Sequence, residues 1–322
     1  MERRIYIFVQ FFRYFKVQRI LFIINPKAGV KRKKKFADAI RQYMDRGRFA
    51  CEILYTSRAG EAPVMARDAA DKGYYAVVAV GGDGTVNEVG RGLVGTETAL
   101  GIIPCGSGDG LALHIGMSRI PSVAVKSIND GKVTDVDYCT VNGHPFFCTC
   151  GVGFDALVSM EFTKSGKRGL MTYTKKALEN WMRYTPLCYE IETDKGPFPG
   201  RKLVLVTFAN ASQWGNNVRI APDASMRDGW LDVTMVKPFN MFQAGLLAVQ
   251  LLTGTLDRNS LVETFRCRSL TIRRQTEGPV HFDGDPSIMG TELNIKVKDQ
   301  RGSCICFKMK KPNRYERNAI RN

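Results

Sequence analysis

Only three histidines occur in 322 residues, and His114, His144 and His281 stand too far apart to form a metal-ligand pattern. Each reads as a structural or exposed side chain. The nine cysteines include no Cys-x-x-Cys pair; Cys148/Cys150 and Cys304/Cys306 are one residue apart. A zinc cage and a paired-disulfide scaffold are therefore not indicated, and the thiols read as reduced cysteines of a cytoplasmic protein. No apolar run is long enough to cross a bilayer as a helix. The Walker pattern Gly-x-x-x-x-Gly-Lys-Ser/Thr is missing, which disfavours an ordinary P-loop enzyme. Internal repeats and low-complexity tracts are also missing.

Acid is in short supply too. Lysine and arginine total 47 against 31 aspartates and glutamates, a net charge of +16 that asks for anionic partners. Nucleotide, nucleic acid and acidic membrane surface all qualify by charge. Nucleic acid is set aside because no aromatic-basic stacking motif accompanies the basic runs. With 44% apolar residues the chain can bury ordinary cores, in one large domain or two moderate ones. At the N-terminus, Ile5-Tyr6-Ile7-Phe8-Val9-Gln10-Phe11-Phe12 follows Arg3-Arg4 like a short signal-peptide core. It lacks a small-residue cleavage site and is broken by Gln10 and Arg13. Residues 1–18 thus read either as an interfacial arm touching membrane or as an extension upstream of the fold.

Two regions of different period follow. Over residues 19–133 apolar strands, glycine turns and helices alternate. Ile20-Leu21-Phe22-Ile23-Ile24 is an all-apolar strand, and residues 36–43 have helical spacing. A second strand runs through Val80 into a helix with Val86, Val89 and Leu93 on one face. A third, Leu100-Gly101-Ile102-Ile103, ends in Pro104-Cys105-Gly106-Ser107-Gly108-Asp109-Gly110. Such strands indicate a parallel sheet covered on both faces, with ligands beyond the strands' carboxyl ends. After about residue 134 the period becomes two. Runs at 136–141 and 145–150 flank Asn142-Gly143, a strong hairpin signal. Further strands are expected at 187–192, 203–209, 230–236, 269–273, 293–297 and 304–309, with helices at 170–184 and 241–252. This region, 134–310, reads as an antiparallel sandwich or barrel, its last strands free to pack back on the first domain. Residues 311–322 form a basic tail.

The most specific motif is Gly81-Gly82-Asp83-Gly84-Thr85-Val86-Asn87-Glu88, at the end of a strand and the start of a helix. Unpaired N–H groups and the helix dipole suit phosphate there, and glycine lets the backbone approach it. A lone carboxylate in such a turn suits Mg²⁺ or a substrate hydroxyl. Asn25-Pro26-Lys27-Ala28-Gly29 also follows a buried strand, so three glycine-bearing turns converge on one crevice. The basic run Lys31-Arg32-Lys33-Lys34-Lys35 lies just beyond, suited to nucleotide phosphate or lipid headgroups, or to a solvated face. Gly151-Val152-Gly153-Phe154-Asp155-Ala156 fits a dinucleotide fingerprint, but the strand before it belongs to a hairpin, so a packing turn is expected. His281-Phe282-Asp283-Gly284-Asp285 sets two carboxylates around a glycine, a spacing for metal binding, proton abstraction or a plain turn. Asp223 to Trp230 is an acidic turn before a strand.

Taken in order, these motifs resemble the diacylglycerol kinase catalytic-domain family, which includes bacterial lipid kinases and the sphingosine and ceramide kinases. The resemblance runs over about residues 19–309. It implies an N-terminal three-layer α/β domain like that of 6-phosphofructokinases and NAD kinases, joined to a C-terminal β-sandwich. It further implies an ATP- and Mg²⁺-dependent lipid kinase acting on diacylglycerol or a sphingoid-type long-chain alcohol. ATP would meet Asn25, Pro26, Lys27, Ala28, Gly29, Thr56, Gly81, Gly82, Asp83, Gly84, Thr85 and Ser107, with Asn87 and Glu88 in the same motif. Ser225, Asp228 and the Trp230 carbonyl match the family's structural Mg²⁺ loop. Asp285 stands where bacterial members usually carry the glutamate of Asp-Gly-Glu, the proton acceptor, and is one methylene shorter; Asp83 is the rival base. Asp109 replaces a usual asparagine, in a loop similar to the sphingosine and ceramide kinase form. The protein is expected in the cytoplasm, reversibly on the anionic inner membrane face, with a homodimer left open. The competing readings are a soluble-substrate kinase of the NAD kinase type and a non-catalytic nucleotide- or lipid-binding protein.

Overall fold

The apolar strands of the first region assemble side by side into one sheet because they are buried on both faces. The structure, a computed structural model, describes residues 17–28, 34–166, 169–298 and 304–307. Strand order is Phe49–Tyr55, Gln18–Ile24, Ala76–Gly81, Ala99–Pro104, Cys304–Phe307, Lys132–Asp135. The first four are parallel; Cys304–Phe307 runs parallel to one neighbour and antiparallel to the other. Helices Lys34–Tyr43, Ala62–Asp71, Asp83–Leu93 and Pro121–Asn129 connect these strands. The chain leaves Gln18–Ile24 toward one side and returns on the other, so the order reverses between that strand and Ala76–Gly81. At such a switch point the turns after both strands splay apart and leave a crevice. Here those turns are the ones at 25–28 and 82–85.

Two antiparallel sheets face each other in the second region. One orders Gly196–Leu203, Leu187–Thr193, Ser269–Arg274, Glu292–Lys298, Tyr138–Val141, His144–Phe146. The other orders Val262–Cys267, Leu231–Val236, Leu205–Ala209, Thr149–Gly153, Gly278–Phe282, Asp285–Met289. Val141, Ile191, Ile272 and Ile295 of the first meet Val152, Phe208, Val233 and Val280 of the second in one fully buried core. The sandwich expected from the period-two pattern is present. Its hairpin turn Asn142-Gly143 adopts positive φ at both residues, the geometry that two-residue loops demand.

The hairpin's second arm departs from the expectation of a strand over 145–150. Pairing stops at Phe146, and the chain crosses to the other sheet to resume as Thr149–Gly153. Phe147 and Cys148 make the crossing with their N–H groups donated to the Asp283 carboxylate, so the broken ladder leaves no donor stranded. At residues 151–156 the two glycines pack closely, against Asp155 and the Val204 carbonyl, as a packing turn would require, with Gly153 at positive φ. The strand passes through Gly153 into helix Phe154–Lys164, whose Asp155 contacts Thr207 and His281 of the sheet. Of the basic run, Lys34 and Lys35 are exposed at a helix start. Gly29, Lys31 to Lys33, the arm at 1–16 and the tail at 311–322 lie outside the described residues.

Candidate active site

The switch-point crevice deepens into a cleft of about 480 Å³ between the two domains, within the range of small-molecule sites, roughly 300–1,000 Å³. Asn25, Lys27, Ala28, Thr56, Thr85 and Ser107 line it from the first domain. Helix Asp83–Leu93 begins in its floor with Gly82 as N-cap. The N–H groups of a helix's first turn have no intrahelical partner, so this end offers Asp83, Gly84 and Thr85 to an anion. Asn25 steadies both turns: its amide donates to the Thr85 hydroxyl at 3.1 Å, and its carboxamide oxygen accepts from the Lys27 N–H at 2.9 Å. Two cations, Lys27 and Arg58, also line this half. Arg58 sits in a loop held by Glu61, which accepts from Ser57 N–H at 2.6 Å, and by Glu88, which accepts from Gly60 N–H at 2.9 Å.

Asp83 joins two of the glycine turns. Its carboxylate accepts from the N–H of Asp109 at 2.9 Å and of Gly110 at 2.7 Å. The turns are also packed backbone to backbone, since a Cβ on Gly106 would stand 2.5 Å from the Gly82 Cα; only glycine allows that approach. Asp109 closes the loop by accepting from Gly106 N–H at 2.8 Å and pairing with Arg119 at 2.9 Å. Three N–H groups of this third turn are thus engaged by carboxylates, and Ser107 is the residue of the loop that was expected to meet nucleotide and does line the cleft. Burial, then the charges of Asp109 and Asp283, push Asp83 up to about 7 despite its two N–H donors.

The opposite wall comes from the second domain. Strands Gly278–Phe282 and Asp285–Met289 are joined by Asp283-Gly284, both at positive φ. Asp283 points inward and is buried, accepting from Phe147, Cys148 and Thr149 N–H and from the Asn87 amide at 2.7 Å. Burial raises its pKa against those four donors. Asp285 faces the other way, exposed at the cleft. Its carboxylate oxygen lies 2.5 Å from where a Cβ on Gly84 would be. An acid of the second domain therefore stands directly against the phosphate-type turn of the first.

Beyond Asp285 the cleft continues between helix Phe154–Lys164, helix Leu170–Trp181 and the sheet. Phe162, Tyr173, Trp214 and Val218 give it an apolar lining, and Asp155 and His281 a polar floor. Asp155 accepts from Ala156 N–H at 2.8 Å and the Thr207 hydroxyl at 3.1 Å, and stands 3.1 Å from His281 Nε2. Burial raises the Tyr173 hydroxyl well above its ordinary pKa. Asp155 and His281 belong to the motifs at 151–156 and 281–285, brought together by the pairing of Gly151 with His281, whereas nothing local in the sequence marks Phe162, Tyr173, Trp214 and Val218 as their neighbours.

Of the expected site residues, Gly82, Asp83, Gly84, Glu88 and Asp285 also line the cleft, whereas Pro26, Gly81 and Asn87 stand behind it. Gly29 is outside the described residues. Asn87 is turned to Asp283 and to the Pro145 carbonyl. Ser225, Asp228 and Trp230 lie elsewhere, on the loop before strand Leu231–Val236. Asp228 is paired with the Arg266 guanidinium and accepts from Trp230 N–H at 3.1 Å. Arg266 also pairs with Asp232, whose burial pushes it up to about 6 against the guanidinium's pull. A dication would have to sit beside that guanidinium, so this donor set does not fit Mg²⁺ as arranged.

Residues 19–141 match the family described as "Diacylglycerol kinase catalytic domain", and residues 148–296 match "YegS C-terminal NAD kinase beta sandwich-like domain". The chain is 30% identical over 275 residues to a diacylglycerol kinase of Bacillus subtilis (strain 168), covering 84% of this chain and 90% of that protein. It is 29% identical over 279 residues to a diacylglycerol kinase of Mycobacterium tuberculosis (strain H37Rv), covering 84% and 89%. A solved diacylglycerol kinase structure from Bacillus anthracis str. Sterne superposes with TM-score 0.69 at 21% identity, covering 94% of this chain and 99% of that one. Yeast NADH kinase superposes with TM-score 0.50 at 11% identity, over 92% and 85%. At those identities the two structures share the fold.

Proposed function

We propose that this chain, which belongs to the diacylglycerol kinase catalytic-domain family, is a lipid kinase that moves the γ-phosphoryl of ATP to the hydroxyl of a membrane lipid. The observation that supports this most is the contact of Asp285 with Gly84 across the cleft. It sets a proton acceptor beside the turn best suited to phosphate. The donor lies along the first-domain wall, its phosphates met by the first-turn N–H groups of helix Asp83–Leu93 and by Lys27 and Arg58. Asp83, carrying charge gathered beside Asp109, is the acid that meets the Mg²⁺ of the nucleotide. That ion enters with the substrate and neutralises charge on the transferred phosphoryl.

Asp285 takes the proton of the acceptor hydroxyl as its oxygen bonds to the γ-phosphorus and the bond to the ADP oxygen breaks. The products are ADP and a phosphorylated lipid, and the proton passes from Asp285 to water. The apolar half lined by Phe162, Tyr173 and Trp214 takes the first part of an acyl or alkyl chain. Among the described residues no helix is long and apolar enough to cross a membrane, and the net charge of +16 favours reversible attachment to anionic lipid. Labelled ATP and Mg²⁺ with diacylglycerol, sphingoid base, ceramide, phosphatidylglycerol and NAD test the reading. Transfer to a lipid supports it, and transfer to NAD alone, or to nothing, removes it.

A further inference from the structure

We propose that helix Met241–Thr253 is the surface by which the protein lies on an anionic bilayer, seating the cleft mouth at the lipid headgroups. The proposal rests on the lipid kinase reading for its choice of partner. The helix reads Met-Phe-Gln-Ala-Gly-Leu-Leu-Ala-Val-Gln-Leu-Leu-Thr, without a charge, and Leu247 is its one buried side chain. Phe242 is 94% exposed, and Leu246, Val249 and Leu252 are each more than half exposed. Phe242, Leu246 and Val249 are spaced as one outward stripe, where a water-facing helix carries charge. The segment is nevertheless a well-made helix. Asn240 and Gln243 form a capping box, and Gly254 closes the other end in the left-handed region.

Both ends of the helix are tied to the cleft wall. Phe239, just before it, stacks on Trp181 at 4.3 Å, and Trp181 ends the helix whose Tyr173 lines the cleft. That neighbouring helix adds Met171 and Leu178, with Met182 just after it, all largely exposed. At the far end the Leu251 carbonyl accepts from Arg219 N–H at 2.8 Å, next to Val218 of the cleft lining. Leu247 packs in a cluster that Trp214, another lining residue, joins. The helix that carries the apolar stripe is therefore packed directly against elements that line the apolar half of the cleft.

The charges around the stripe choose the occupant. Arg219, Lys237 and Arg258 flank it in the chain or in contact, and the neighbouring helix and its end add Lys175, Lys176 and Arg183, against Asp257, Glu179, which pairs with both lysines, and Glu263, which pairs with Lys237. Two copies meeting stripe to stripe would bring these basic rims together, whereas anionic headgroups neutralise them. A helix lying in the interface with its apolar face in the acyl boundary satisfies both features.

Flotation with vesicles of phosphatidylcholine, with and without phosphatidylglycerol, tests this on the full chain without ATP. The double variant Phe242→Ser/Leu246→Ser, at exposed positions, is expected to lose roughly tenfold or more in partitioning. The control Val64→Ser, an exposed apolar position of the first domain, is expected to keep it. Turnover of a short-chain acceptor dissolved as monomers stays unchanged in the double variant. Equal binding by wild type and double variant, or none by wild type, overturns the proposal. So does a dimer, seen by analytical ultracentrifugation, that the double variant abolishes while vesicle binding persists. A wild type that binds vesicles through this helix yet phosphorylates no lipid leaves the docking surface standing and removes the kinase reading.

Discussion

The Asn87 side-chain amide donates to the buried Asp283 carboxylate at 2.7 Å, joining residues 196 apart. Asn87 stands on the helix that opens with the phosphate-type turn, and Asp283 begins the turn that carries Asp285. One bond thus ties the two walls of the cleft. Asn87→Ala removes it and leaves Asp283 to three backbone donors. We expect a loss of about 1.5–3 kcal/mol, the worth of a hydrogen bond to a charged group, in urea unfolding. Turnover is expected to fall further than stability accounts for, because Asp285 loses its register against Gly84.

Gly84→Ala separates stability from chemistry in the opposite sense. The three atoms nearest the new methyl would be the Asp285 carboxylate oxygens and carbon, the movable end of an exposed side chain. Replacing glycine in a helix with alanine favours the helix by roughly 1 kcal/mol. The variant should therefore melt no lower than wild type while its kcat falls at least tenfold, the displaced acid losing part of the roughly 10²–10⁴ that a general base supplies. Paired melting and initial-rate measurements check this; unchanged kcat would remove Asp285 from the reaction.

The two candidate acids separate by kinetic constant. Asp285→Asn should lower kcat by about 10²–10⁴ and leave the ATP KM alone, and Asp285→Glu, one methylene longer, should retain most activity. Asp83→Asn should raise the ATP KM, because Asp83 holds the third turn through Asp109 and Gly110 N–H. A variant of Asp83 that loses kcat at unchanged KM would make it the base.

Asp83 also sets a pH dependence whose sign can be worked out. Its folded pKa, about 7, lies above the roughly 3.9 of an unfolded aspartate. Such a group contributes stability that is complete below the unfolded value and is lost as pH rises through about 7. On the proposed reading MgATP meets the ionised form, so its affinity is expected to rise with pH over the same window. Calorimetry in buffers of different ionisation enthalpy should find a proton released on MgATP binding at pH about 6 and little at about 8.5.

The first-domain wall of the cleft was legible because each glycine turn follows an apolar strand, and a parallel sheet brings such ends together by topology alone. Side-chain roles were less so. Glu88 and Asn87 sit in the expected motif, yet one braces Gly60 and the other reaches Asp283. Strand Gly196–Leu203 was not among the expected strands, its Gly196, Pro197, Pro199 and Gly200 being residue types that strands seldom carry. It is an edge strand with a register shift between Phe198 and Arg201, where prolines break no ladder. The pair Asp155 and His281 lies 126 residues apart, a distance at which spacing carries no signal.

Asp109 stands where the family resemblance leads one to expect asparagine, and in this chain Arg119 is its partner. The guanidinium pairs with the Asp109 carboxylate at 2.9 Å while donating to the Gly108 carbonyl and the Asn216 side chain. Asp109 is buried, so the acid and its arginine form one unit that sets the third turn. Asp109→Asn keeps the shape but leaves Arg119 without its counter-charge, at an expected cost of about 1–3 kcal/mol in urea unfolding. The same change removes the largest neighbouring charge that raises Asp83, so the midpoint of MgATP affinity against pH should move down. Arg119→Gln should also destabilise the loop yet leave Asp109 charged beside Asp83, so it lacks that downward shift. A downward midpoint in the first variant alone shows that Asp109 tunes Asp83 by charge; equal midpoints would reduce it to a loop fastener.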